Sequence, residues 1–132
     1  MIEIGTSAEA SLTVQWSDTA KALSLSPEDD FPEVFATSRM VALMELAAAR
    51  LMKPLLELGQ LSVGVTIDVK PGAATPIGGV VRAVATYRGQ DDRLHRFSVE
   101  AFDEAGPIGT GTHARAIVAT DRLLAGAARR KA

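Results

Sequence analysis

The sequence predicts an α+β domain in which an antiparallel β-sheet wraps around one long central helix. One run of about 19 strong helix formers, from residue 38 to 56, has no counterpart elsewhere in the chain. One strand-like run precedes this helix and four follow it. Because a sheet with one buried face needs another layer against that face, we expect the helix to fill the concave side of the sheet.

Length and composition limit the architecture and the chemistry. The 132 residues suffice for one domain, so we expect a single domain over residues 1–132, with its core at about 11–118 and a solvated tail at 119–132. The absence of cysteine excludes disulfides, Cys-ligated metals and a thiol nucleophile. A net charge of −2 gives no electrostatic attraction for nucleic acid.

The start of the chain carries neither a basic region nor an apolar region of the kind that signal peptides have. No apolar run approaches the roughly 20 residues of a membrane span. We therefore expect a cytoplasmic protein that does not enter membranes. The two histidines lie in different strand-like runs without metal-ligand spacing, so no metal site is expected.

Alternating apolar residues define the strands. The first is expected at 11–16, with Leu12, Val14 and Trp16 on one face, followed by a polar loop at 17–32. The short links between the later runs favour an antiparallel meander. These four runs are expected at 63–69, 80–87, 94–102 and 108–118.

The long helix is expected to begin after Thr37 or Ser38, either of which can serve as its N-cap. Pro54 lies in the expected last turn and should end or kink the helix there. Thr37 can alternatively act as a nucleophile or orient a water molecule. Both roles can coexist.

Glu45 is the only polar residue between Met40 and Ala49, so the pattern places a carboxylate inside a mostly apolar helix. A buried carboxylate is costly unless it is hydrogen-bonded or functional, and this favours a general base. Two alternatives stay open. Glu45 lies on a narrow exposed face of the helix, or it pairs with an arginine such as Arg39 or Arg50.

The last strand and the first strand after the helix carry further candidates. Alternation places Gly109, Gly111, His113 and Arg115 on one face of the last strand, where the glycines would leave room for a ligand. Alternatively, His113 is structural and Arg115 a surface cation. Gly64 interrupts a good strand, which indicates a bulge or the close approach of another group.

Three segments together resemble the fluoroacetyl-CoA thioesterase family of hotdog-fold proteins. They are FPEVFATSRMVALMELAAARLMKPLL, SVGVTIDVKPGAATPIGG and GPIGTGTHARAIV. The resemblance extends over about residues 11–118. It implies a helix inside a curved sheet and a homodimer with active sites at the subunit interface. An unpaired sheet edge in a single copy also favours a homodimer.

The resemblance implies a role for each matching residue. Thr37 and Glu45 match the catalytic threonine and glutamate of the family. Gly64 matches a glycine beside the thioester, Arg115 an arginine near the acyl group, and Phe31 an aromatic gate over the pocket.

The sequence departs from the family at two positions. Pro71 stands where the family has its catalytic histidine, and proline has neither a titrating group nor a backbone donor. Glu28 occupies a second gate position that is normally apolar. His113 matches a further histidine that the family has in addition to the catalytic one, so it is a candidate without an assigned role.

The leading hypothesis is an acyl-CoA thioesterase acting on a small acyl group, with Glu45 as general base or nucleophile and Thr37 orienting the attacking group. Coenzyme A would enter as part of the substrate, and no separate cofactor is expected. The alternative is a hotdog module that binds a CoA thioester or related acyl ligand without hydrolysing it. A dehydratase or isomerase is disfavoured because no histidine–carboxylate pair can be assembled.

Overall fold

The computed structural model describes residues 1–131, which form a five-stranded antiparallel sheet curled around helix α1. Within this part of the chain no helix has the length and apolar character needed to cross a bilayer. Short 3-10 turns lie at Trp16–Asp18, Lys21–Leu23 and Lys53–Leu55. The main elements are β1 (Ser7–Thr13), α1 (Thr37–Met52), β2 (Gln60–Pro71), β3 (Val80–Asp91), β4 (Leu94–Asp103), β5 (Gly106–Ala119) and α2 (Thr120–Arg129).

The strands lie in the order β1-β3-β4-β5-β2, and all neighbours are antiparallel. Only β3, β4 and β5 form the expected meander. The link from β2 to β3 passes the start of α1, where the Phe35 N–H donates to the Thr75 carbonyl at 2.8 Å. This link carries the chain from edge strand β2 across the sheet to β3, which lies beside the opposite edge strand β1, so β2 pairs with β5 and not with β3.

The first strand begins and ends earlier than the expected 11–16. Trp16 lies in a 3-10 turn and is half exposed, so it does not continue the inward face of β1. The Gln15 N–H donates to the Asp18 carboxylate at 2.9 Å, and this local bond turns the chain away from the sheet.

Helix α1 ends at Met52 because Pro54 lacks the N–H that a further turn requires, and the chain continues as a 3-10 turn. The helix fits closely into the sheet because small side chains cover the centre of β3 and β4, such as Ala83, Ala85 and Ala101. The buried side of α1 consists of Met40, Leu43, Met44, Ala47, Ala48, Leu51 and Met52.

The part of the expected 119–132 tail that the structure describes, residues 119–131, is mostly helix α2, which has no buried residue, and residue 132 lies outside the described range. The Leu123 and Leu124 side chains of α2 are exposed. Of the basic run at the end of the tail, Arg129 closes the helix and Arg130 and Lys131 follow it, all exposed to solvent as expected.

A candidate active site at the bulged edge strand

Gly64 marks a bulge in β2. The pairing of β2 with β5 slips between Gly64 and Thr66, which leaves Val65 as the extra residue. A Cβ atom on Gly64 would overlap Glu45 Oε1 and lie 3.2 Å from His113 Cε1. Both features that the sequence indicated at Gly64, a bulge and a close approach, are therefore present.

Glu45 projects from the middle of α1 toward this bulge, and 38% of its side chain is exposed. Of the alternatives that the sequence left open, burial is not observed, because the sheet does not cover this side of α1. Glu45 lies on a partly exposed face and also pairs with an arginine, which is neither Arg39 nor Arg50. Arg115 Nη1 lies 3.4 Å from Glu45 Oε1. Arg39 instead pairs with Asp18 at 2.9 Å, and Arg50 donates to the Glu9 carbonyl at 2.8 Å.

Arg115 is buried, with 7% of the residue exposed, so the alternative of a surface cation was wrong. Ser62 fixes its orientation. Arg115 Nε donates to Ser62 Oγ and Nη2 donates to the Ser62 carbonyl, each at 2.9 Å. Burial lowers the pKa of the Arg115 guanidinium, and the neighbouring Glu45 opposes this shift. The guanidinium nevertheless stays charged, since arginine is not deprotonated in proteins.

His113 lies next to Arg115 in the same buried row. Its Nδ1 is 2.7 Å from the Thr66 carbonyl, which can only accept, so Nδ1 carries the proton. Nε2 then accepts from Arg115 Nη1 at 3.1 Å. Burial lowers the pKa of His113, a shift that the Thr66 carbonyl opposes and the charge of Arg115 reinforces. A neutral imidazole therefore supports the arginine that contacts Glu45.

The space expected beside Gly109 and Gly111 is not available to a ligand. A Cβ atom on Gly109 would lie 2.7 Å from Met40 Cε, and one on Gly111 would overlap the Asp68 carbonyl oxygen. The two glycines admit the protein's own helix and edge strand. The prediction that they leave room for a ligand was wrong.

Thr37 occupies the first turn of α1, but it is not the N-cap. Ala36 holds that position, and no side chain caps the helix. The Thr37 side chain is exposed and has no hydrogen-bond partner among residues 1–131. Eight residues of helix separate it from Glu45, about 12 Å along the axis. One copy of the chain does not bring the two side chains into contact.

Three further positions that the resemblance singles out form no hydrogen bond or ion pair with Glu45 among residues 1–131. Phe31 is half exposed, in the loop before α1. Pro71 ends β2 opposite Gly109, about 20 Å along the strand from Gly64. Glu28 is exposed in the same loop as Phe31. Pro71 thus lies at the far end of β2, whereas Glu45 faces the bulge at Gly64.

Two residues that support the site were not predicted from the sequence. Ser62 and Thr66 hold Arg115 and His113, and each is separated from its partner by about 50 positions in the chain. Their only sequence signal is that they flank Gly64 as polar residues of a strand. In the part of the chain that the structure describes, no three His, Cys, Asp or Glu side chains are grouped as a metal site would need.

A five-stranded antiparallel sheet curled around one helix is the hotdog fold of solved thioesterases, and the family match makes the chain a thioester hydrolase. The fluoroacetyl-CoA-specific thioesterase family matches residues 14–121. The chain belongs to this family.

Individual proteins agree with this assignment. The chain is 46% identical over 101 residues to the fluoroacetyl-CoA thioesterase of Streptantibioticus cattleyicolor, a match covering 76% of this chain and 73% of that protein. A solved mutant of a fluoroacetyl-CoA-specific thioesterase, bound to fluoroacetate and CoA, is 39% identical and superposes with a TM-score of 0.87, covering 92% and 99% of the two chains. A thioesterase-superfamily protein of Thermus thermophilus is 28% identical with a TM-score of 0.87, covering 99% and 94%.

Proposed function

We propose that this chain hydrolyses the CoA thioester of a small acyl group, with Glu45 as the group that activates the attack. The observation that carries the proposal is the contact of Glu45 with Gly64 and Arg115 at the edge strand. Membership of a thioesterase family supports it, as does the relative solved with fluoroacetate and CoA. Coenzyme A is then part of the substrate, and the reaction uses no other organic group.

The Glu45 carboxylate is held at one oxygen and open to solvent at the other, as activation of a water molecule requires. Arg115 holds one carboxylate oxygen, Oε1, while the half-exposed side chain leaves the other accessible to water. As a general base, Glu45 takes a proton from water while the water oxygen attacks the thioester carbonyl carbon. The C–S bond then breaks, the acyl group leaves as a carboxylic acid, and the sulfur leaves as the thiol of CoA.

Glu45 can also act as the nucleophile, and this route gives the same products, a carboxylic acid and the thiol of CoA. Glu45 would attack the carbonyl carbon, release CoA and form an acyl–glutamyl anhydride that water then cleaves. In either route Gly64 lies beside the thioester and Arg115 near the acyl group. Thr37 orients the attacking group and Phe31 covers the pocket, as the family resemblance implies.

The beginning of α1 offers donors for the thioester oxygen. The first N–H groups of a helix have no intrahelical acceptor, and those of Thr37 and Ser38 find none among residues 1–131. Because the positive end of the helix dipole lies there, a developing negative charge on the oxygen is stabilised at this position.

We propose further that the active protein is a homodimer. Next to Glu45, α1 exposes the apolar Leu46, and the adjacent edge strand exposes Val65. A second copy placed against this face covers both apolar surfaces and closes the site over Glu45. The distance between Thr37 and Glu45 within one chain is then no obstacle, because residues of two copies line each site.

A module that binds a CoA thioester without hydrolysing it is the second candidate. Pro71 favours it, because this position supplies no imidazole to move a proton. The two candidates differ in one product, the free thiol.

The test is a panel of short acyl-CoA thioesters, assayed with a thiol-detecting dye, for the wild type and Glu45→Gln. We expect thiol release by the wild type and a loss of at least about a hundredfold in the variant, as for other general bases. The free energy of unfolding should change by less than about 1 kcal/mol, because Gln keeps an acceptor oxygen for Arg115, the contact is long at 3.4 Å, and Ser62 still holds the guanidinium. Acyl-CoA binding without thiol release in the wild type would favour the binding module. A large loss of stability with activity retained would show that Glu45 is structural.

A further inference from the structure

Three polar contacts connect Glu45 to the backbone of the edge strand through Arg115 and His113. Arg115 Nη1 lies 3.4 Å from Glu45 Oε1 and 3.1 Å from His113 Nε2. His113 Nδ1 lies 2.7 Å from the Thr66 carbonyl oxygen. Because Nη1 carries two hydrogens, it can donate to the imidazole and to the carboxylate at the same time. The contact with Glu45 therefore depends on where His113 holds this nitrogen.

The two edges of the Arg115 guanidinium have different partners. Ser62 accepts from Nε through its hydroxyl and from Nη2 through its carbonyl, each at 2.9 Å. Nη1, the nitrogen that meets Glu45, has only His113 as a second partner among residues 1–131. The bonds to Ser62 keep Arg115 in the site, whereas His113 holds the atom that faces the carboxylate.

Three arginines and one carboxylate are the charged groups around His113. Arg115 on the same strand and Glu45 on α1 act on its charge directly. Arg88 of β3 and Arg96 of β4 line a depression of about 260 Å³ that also reaches His113. A positive charge on His113 would therefore add to three existing ones and be balanced by a single carboxylate.

The closest neutral groups are the Thr66 carbonyl of β2 and the Phe97 ring of β4, whose centroid lies 6.0 Å from that of the His113 ring. Only 2% of His113 is exposed. Burial is the main cause that lowers the pKa of His113, and the charge of Arg115 adds to it, while the Thr66 carbonyl and Glu45 oppose the shift. The imidazole is therefore neutral at neutral pH, with its proton on Nδ1.

A second proton on this imidazole removes the acceptor of Arg115. The proton occupies Nε2, which then becomes a donor that faces the donor Nη1 at 3.1 Å, with a positive charge on both groups. Two like-charged donors do not keep this distance in a buried position, so the side chains separate. The movement falls on Nη1, the atom that meets Glu45, because Ser62 still holds the other edge of the guanidinium.

We propose that His113 is a positioning residue, which in its neutral form holds Arg115 Nη1 beside Glu45 and on protonation releases it. The proposal rests on the proposed function, in which Glu45 activates the attack on the thioester. His113 itself forms and breaks no bond of the substrate. Acidification then lowers activity in two ways, by protonation of Glu45 and by protonation of His113.

Two substitutions of His113 separate the acceptor from the titrating group. In His113→Gln the side-chain carbonyl oxygen replaces Nε2 as the acceptor but binds no proton, and His113→Leu has no acceptor. At pH 7.5 we expect kcat/KM from thiol release to stay within about threefold of the wild type in His113→Gln and to fall at least about tenfold in His113→Leu. Equal losses in the two variants would overturn the proposal.

The pH dependence of the activity is the second measurement. Between pH 7.5 and pH 5, kcat/KM of the wild type should fall at least about threefold more than that of His113→Gln, in which His113 no longer titrates. His95→Gln is the matched control, because His95 is also buried, on the neighbouring strand β4, but bonds Tyr87. It should keep the wild-type ratio. An unchanged ratio in His113→Gln, or the same change in both variants, would reject the proposal.

Nitrogen NMR of the isotope-labelled full-length protein separates this proposal from the proposed function, because it needs no substrate. The His113 signals, identified by their loss in His113→Gln, should show a neutral ring protonated at Nδ1 above pH 7. A ring protonated at Nε2 would reject the proposal, since it could not accept from Arg115. If the wild type hydrolyses no thioester, the proposed function fails, while the tautomer still tests the contact of His113 with Arg115.

Discussion

Gly64 determines how close Glu45 can come to the edge strand. Gly64→Ala places a Cβ atom where Glu45 Oε1 lies, and the half-exposed Glu45 side chain will then move toward solvent. We expect kcat/KM to fall at least about tenfold, because a displaced catalytic group loses its alignment. The free energy of unfolding should also fall, by about 1 kcal/mol, because the new Cβ lies 3.2 Å from the buried His113 ring, which is held by two hydrogen bonds.

Gly72→Ala is the matched control for this substitution. Neither glycine has a positive φ, and a Cβ on Gly72 meets nothing nearer than the Ile108 carbonyl oxygen at 3.8 Å. The measurement is kcat/KM from thiol release, compared between Gly64→Ala and Gly72→Ala. Equal activities would contradict the placement of the thioester beside Gly64.

The two histidines of the chain predict how stability depends on pH. Burial lowers the pKa of both His113 and His95, and the Nδ1 atom of His95 is 2.8 Å from the Tyr87 hydroxyl. Below the ordinary histidine pKa of about 6.5, the unfolded chain therefore binds protons that the folded chain does not. The free energy of unfolding should fall as the pH drops below about 6.5, by up to about 1.4 kcal/mol per pH unit for each histidine.

Urea denaturation between pH 5 and 7.5 measures this slope. His113→Gln removes one of the two titrating groups and should reduce the slope, whatever its effect on stability at neutral pH. A flat profile for the wild type would show that the folded state binds these protons as readily as the unfolded one.

Individual site residues were predictable from the sequence to different degrees. Glu45 stands out because a single carboxylate interrupts an apolar run, and Gly64 because it interrupts an alternating strand. That Arg115 is the partner of Glu45 does not follow from the pattern, because 70 positions separate them. Their contact depends on β2 lying beside β5, which no local spacing specifies.

At the scale of single elements, the beginning of α1 gives the clearest prediction. Thr37→Ala should change the free energy of unfolding by less than about 0.5 kcal/mol, because Thr37 is not the N-cap and its side chain bonds no backbone group. Its activity should fall, and Thr37→Ser should restore it. Denaturation and thiol-release assays on both variants test this. If Thr37→Ala lowered the free energy of unfolding by about 1 kcal/mol, as removal of an N-cap does, the observed helix start would be contradicted.

Element types were easier to predict than element boundaries. The helix and all five strands exist, because the 3.6-residue and two-residue periods dominate their sequences. The boundaries depend on particular bonds. The Gln15–Asp18 turn ends β1 at Thr13, three residues before the expected position, whereas Pro54 ends α1 as the sequence predicted. The strand order was missed because the link after Pro71 interacts with the start of α1 instead of forming a hairpin with β3.

At the scale of the whole molecule, the exposed apolar face predicts the assembly. Light scattering should give twice the 13.9 kDa mass of one chain at micromolar concentration. Val65→Lys places a charge on the exposed edge and should yield monomers, because the charge would be buried between two copies. Leu58→Lys, at a fully exposed turn residue, is the control and should remain dimeric. A monomeric wild type would contradict the proposed homodimer.

The open edge of β2 also makes the measured stability of this protein depend on its concentration. Along the exposed stretch around Val65 the strand carries no lysine or proline, and Lys70 and Pro71 come only at its end. In the proposed dimer, burying this edge adds free energy that belongs to two chains together, so mass action links folding to protein concentration. The melting temperature should then rise with concentration, and dilution alone will weaken the fold around Glu45 before any denaturant is added.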